Sequence, residues 1–119
     1  MTTDDFIQNA IDAGQRHGVA GLSTLQRAVF IVSELEVLCD MEGIDAFLDR
    51  YHANDLRDAA DLLSAAGAID IANGLVEIAG SLPNLQEDTL SRVNDLVTTR
   101  AGYDHDALAR AVAQRLAQP

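Results

Sequence analysis

The sequence predicts an all-α fold: one compact domain over 1–119, with about six to seven short helices around a central apolar helix at about residues 24–42. Three observations carry that prediction. Apolar residues repeat at helical spacing in every segment long enough to judge, and none alternates as a strand would. Nineteen alanines favour helix, because Ala loses no side-chain entropy on entering one. Five aromatics and no Trp leave the core to Leu, Ile, Val and Ala. A chain of 119 residues buries roughly two-thirds of its unfolded surface. An apolar content of 48% excludes a disordered acidic tail.

The first helix is expected to start after Thr2 or Thr3, with Asp4 and Asp5 at its positive end. Its stripe is Phe6, Ile7, Ala10 and Ile11, and Gly18 offers a left-handed stop. Ser23 with Gln26 spells a capping box for the second helix, about Thr24 to Glu42. That helix carries one stripe of Leu25, Ala28, Val29, Val32, Leu35 and Cys39. A second apolar set, Phe30, Val37, Leu38 and Met41, covers another face, which marks the helix as central. Gly43 ends or kinks it. Ile44 to His52 reads as a short helix with Ile44, Phe47, Leu48 and Tyr51 inward.

Asn54 is placed to cap a helix whose face is Leu56, Ala59, Ala60, Leu63 and Ala66, before Gly67. Ile71, Leu75, Ile78, Ala79 and Leu82 mark the next, stopped near Pro83. Gly74 inside it predicts close packing on a neighbour. Asn84 with Glu87 makes a box-like start for a helix carrying Leu90, Val93 and Val97 and ending at Gly102. Asp104 caps the last, with Leu108, Ala111, Val112 and Leu116 inward. Met1-Thr2-Thr3-Asp4-Asp5 has the wrong sign for a signal peptide. The longest apolar run, Ala28 to Val32, is far below the ~20 residues of a membrane span. One cysteine fits a reducing compartment, and the bacterial cytoplasm is the expected location.

Charge is the feature that bears on function. Nineteen acids against eight arginines give a net charge of -11, and the chain has no lysine. A codon-biased or salt-adapted proteome would produce that total, but it explains the clustering less well. Between Arg27 and Arg50 stand Glu34, Glu36, Asp40, Glu42, Asp45 and Asp49 with no basic residue, and Asp55, Asp58 and Asp61 follow. Glu36 and Asp40, and Asp45 and Asp49, sit four apart on shared helix faces, where like charges repel by a few tenths of a kcal/mol. These nine carboxylates are the candidate partner-binding residues. Exposed ion pairs contribute only ~0.2–1 kcal/mol each, whereas micromolar binding requires ~8 kcal/mol. Most of the cluster must therefore engage at once, or an apolar side chain must anchor beside it.

Enzyme signatures are missing. Without lysine there is neither a Walker phosphate loop nor a Schiff base, and no Gly-x-Ser-x-Gly elbow occurs. Cys39 falls on a buried helical face, where it acts as a small hydrophobe. Asp49 and His52 have the spacing of a carboxylate-bridged metal bundle, but such a site needs a second copy and more Glu. Asp40-Met41-Glu42-Gly43 places Gly at position four of a would-be calcium loop rather than six. The expectation is a non-enzymatic protein without catalytic residues, cofactor or metal.

A resemblance sharpens this. Gly21-Leu22-Ser23, Glu36-Val37, the stretches Gly43 to Leu48 and Tyr51 to Asn54, Ala65-Ala66-Gly67-Ala68 with Ala72, and Tyr103-Asp104 to Leu116 form one set of blocks. Over about residues 20–118 that set resembles the bacterial DNA-mimic protein C-terminal domain, a domain-of-unknown-function family of small acidic helical proteins. The resemblance implies a helical acidic protein, without known catalysis, that occupies a DNA-binding protein by imitating DNA charge. One departure matters. The family shows Asn-Gly-Gly-Phe before Gln-Phe-Phe, where this chain has Asp40-Met41-Glu42-Gly43-Ile44 and Ala46-Phe47-Leu48. Roles of those lost side chains do not carry over.

The expected partner is thus a basic, Arg/Lys-rich protein such as a DNA-binding regulator. Direct nucleic-acid binding is not expected from eight scattered arginines among nineteen acids. The alternative is a helical scaffold or immunity-type interaction protein, a homodimer binding through apolar helix faces.

Overall fold

The computed structural model describes residues 2–118, which form seven helices and no strand. They are α1 (Thr3–His17), α2 (Thr24–Met41), α3 (Ile44–Leu48), α4 (Ala53–Ala65), α5 (Ile69–Ser81), α6 (Glu87–Thr98) and α7 (His105–Leu116). Helix α2 lies at the centre and touches every other helix except α5. α5 packs on α4 and α6 instead. Two glycines set helix distances. Gly14 of α1 leaves room for the Phe30 ring, and Gly74 of α5 leaves room for a Val93 methyl. No helix among the described residues is long and apolar enough to cross a membrane.

Local chemistry fixes most boundaries. Thr2 accepts a hydrogen bond from the Asp5 N–H, and Ser23 with Gln26 forms the expected reciprocal box at α2. Asp104 accepts from the Ala107 N–H at the start of α7. Four expectations need correction. The third helix stops at Leu48 rather than His52, because the chain extends at His52 to begin α4. His52, not Asn54, holds the N-cap of α4, and its N–H donates to the Asp55 carboxylate at 3.0 Å. Asn84 caps nothing; its N–H closes a turn onto the Ser81 carbonyl, and α6 starts at Glu87.

The fourth is the end of α6, at Thr98 and not at Gly102. The Ala101 N–H reaches the Leu96 carbonyl and the Arg100 N–H reaches the Val97 carbonyl, which is Schellman closure. Its left-handed position is Arg100, at φ 51°, where glycine is usual. The Arg100 side chain closes the same turn, its Nη1 donating to the Val97 carbonyl at 2.7 Å.

Burial follows the predicted stripes with two exceptions: Leu116, expected inward, is 45% exposed at the last residue of α7, and one end of α2 is bare. In the second apolar set of α2, Phe30 and Leu38 are buried, but Val37 and Met41 are 46% and 78% exposed. Helix α1 covers the Phe30 end of that face and leaves the other end bare.

Candidate functional site

Helix α2 distributes its carboxylates around its axis. Residues two apart point about 200° away from each other at 3.6 residues per turn. Glu34 accordingly accepts a hydrogen bond from the Tyr51 hydroxyl at 3.2 Å, with Arg50 at 3.8 Å, beside the end of α1. Glu36 turns toward the α6–α7 connection, accepting from the Tyr103 hydroxyl with Arg100 Nε at 3.2 Å. Asp40 joins it there, held bidentately by Arg100 Nη1 and Nη2 at 3.1 and 2.7 Å.

Arg100 therefore sits between two carboxylates that sequence spacing alone sets in repulsion. Its hydrogen bonds lower the Asp40 pKa below the usual 3.8 and raise its own. Burial first, then the neighbouring glutamates, pushes both the Tyr51 and Tyr103 hydroxyls up, so they remain donors. A group with a depressed folded pKa stabilises the fold above its unfolded value and loses that contribution as pH falls through the folded pKa. Asp40→Asn is thus expected to be less stable than wild type at pH 6. As pH falls from about 4 through the lowered folded pKa of Asp40, the two melting temperatures should converge. Thermal unfolding across that range checks it.

The α4 acids are tied as well. Asp58 meets Arg27 Nη2, Asp55 lies 3.9 Å from Arg27 Nη1, and Asp61 lies 3.0 Å from Arg115 Nη1. Of the nine carboxylates, Glu34, Glu36, Asp40, Asp55, Asp58 and Asp61 thus share four arginines over separate faces.

Glu42, Asp45 and Asp49 remain. All three are exposed, and no basic side chain among the described residues lies within 4.0 Å of them. Asp45 lies in α3, with Glu42 and Asp49 to either side of it, and α3 packs on α6. A shallow cleft of about 220 Å³ between them is lined by Asp45, Glu87, Ser91 and Asn94, so Glu87 joins the acidic face. Sequence reading gives Glu87 only a capping role, since nothing in its spacing brings it to Asp45.

Asn94 was also missed. Its Oδ1 accepts the Ile44 N–H at 2.9 Å and so caps α3 from another helix. Asn94→Ala leaves that donor unpaired beside a buried Ile44, an expected loss of about 1–2 kcal/mol. Amide exchange at Ile44 and thermal unfolding measure it.

Cys39 is buried, and burial with the nearby Asp40 pushes its thiol up to about 12, so it is not a thiolate at neutral pH. Among the described residues no three His, Cys, Asp or Glu side chains converge as metal ligands. No protein-family model, curated protein or solved structure matches the chain.

Proposed function

We propose that this protein is a non-enzymatic acidic binding module that docks on an Arg/Lys-rich surface of another protein, such as a DNA-binding regulator. The supporting observation is selective pairing. Six of the nine clustered carboxylates have an internal guanidinium, while Glu42, Asp45 and Asp49 around α3 have none within 4.0 Å among the described residues. Ion pairs between neighbouring helices occupy the first group and leave the second to solvent or a partner.

DNA mimicry is the narrower form of this proposal. One DNA strand carries a phosphate every ~3.4 Å, and a five-residue helix is only ~7.5 Å long. The unpaired acids and Glu87 therefore match the charge of a few phosphates. A compact basic cluster fits them better than a long DNA-binding groove.

Neutralising the three together (Glu42→Gln, Asp45→Asn, Asp49→Asn) is the test. Co-purification from cell extract with wild type should recover a basic protein at low salt and lose it at high salt. Screening over a Debye length of ~8 Å acts on these exposed contacts at physiological ionic strength. The triple variant should bind that protein at least about tenfold more weakly with unchanged helicity. Equal binding by both proteins would reject the proposal.

Homodimerisation has one observation in its favour. Ile69 and Val76 are half-exposed on α5, seven residues apart on one face of the helix that does not reach α2.

A further inference from the structure

We infer that the bare end of α2, the Val37–Met41 ridge, is the apolar anchor of the acidic face and receives a basic amphipathic helix from the partner protein. This rests on the docking proposal above and names the partner's chemistry. Phe30, Val37 and Met41 fall on one face of α2, since seven residues nearly complete two turns and four nearly complete one. Exposure along that face rises from 5% at Phe30 to 46% at Val37 and 78% at Met41. Helix α1 covers the first and neither of the others.

Charge complementarity selects the occupant. Met41 is followed at once by Glu42 and, past the Gly43 bend, by Asp45 and Asp49, the three of the nine clustered acids without an internal guanidinium. A second copy of this chain on the ridge would bring those same acids against their own kind. An anionic surface would be repelled, and a purely apolar helix would leave the acids unanswered. A helix with Leu or Met on one edge and Lys or Arg on the other satisfies both parts. The flexible thioether of Met41 adapts to whichever apolar side chain arrives.

Two labelled helical peptides of equal lysine content test this by fluorescence anisotropy, one with leucines at i, i+3, i+4 and i+7 and one with serines there. The full-length protein should bind the leucine peptide at least about tenfold more tightly. Replacing Val37 and Met41 by Ser should remove that preference while leaving the weak, salt-sensitive binding of the serine peptide. Met41→Leu should retain the preference. Equal affinities for the two peptides, or a preference that survives the double serine change, overturn the anchor and leave acidic docking standing. Binding of neither peptide, or binding indifferent to neutralising Glu42, Asp45 and Asp49, overturns both.

Discussion

Phe47→Ala is expected to destabilise the protein by about 3–5 kcal/mol, the usual cost of emptying a fully buried phenylalanine site. Phe47 is 0% exposed and belongs to a helix of only five residues. A segment that short has no helical stability of its own, so tertiary contacts must hold it. Phe47 anchors α3 in the core against α2 and α6, and it also stacks on Tyr51 four residues on, with ring centroids 4.9 Å apart. Tyr51 in turn donates to Glu34, so the cavity would also loosen a polar contact on α2. Domains of this size are stable by about 5–15 kcal/mol in total, so the variant should be marginal at 37 °C.

Denaturant unfolding reads the loss directly, with Phe47→Leu, which keeps four of the seven side-chain carbons, as the control with a smaller loss than Phe47→Ala. Partner binding should fall along with stability, because α3 carries Asp45 and lies between Glu42 and Asp49. A loss below about 1 kcal/mol would mean that α3 is not pinned by this ring.

The acidic face shows where sequence reading ends. Helices were legible because a capping box or an i, i+4 stripe involves residues within one turn: Ser23 with Gln26, or Leu56 with Ala60 and Leu63. The nine carboxylates were legible as a run along the chain, but not as a surface. Arg100 reaches Asp40 from sixty positions away, and Arg115 reaches Asp61 from fifty-four. No local spacing encodes either contact. The same holds for Asn94, which caps α3 across fifty residues.

Exposure at Met41 was hidden for a related reason. Its position on α2 equals that of buried Phe30 in periodicity, and the difference lies in where α1 crosses. Pattern reports which residues share a face; it does not report how far along that face a neighbour extends.

That crossing point makes Gly14→Val the second large effect, an expected loss of about 3 kcal/mol. A Cβ at Gly14 would lie 2.6 Å from Phe30 Cε1 and nearer still to Cγ and Cδ1, so the ring or the helix must move. The valine would gain only about a few tenths of a kcal/mol of helix propensity over glycine, which does not offset the overlap. Phe30 is buried between the two helices and borders a cleft on one side, so the ring can turn only toward that cleft and the rest of the strain falls on the α1–α2 contact. Gly14, Gly18, Glu34, Arg50 and Tyr51 line one cleft of about 370 Å³ beside that contact. Displacing α1 should therefore broaden the amide signals of Glu34 and Tyr51 as well as lower the melting temperature. Gly74→Val provides the comparison, since its overlap is with a Val93 methyl at the α5–α6 contact. It should destabilise the fold while leaving the Glu34 and Tyr51 signals in place. If both variants perturb the same amides equally, the two glycines do not set separate helix contacts, and the local account of the α1–α2 crossing fails.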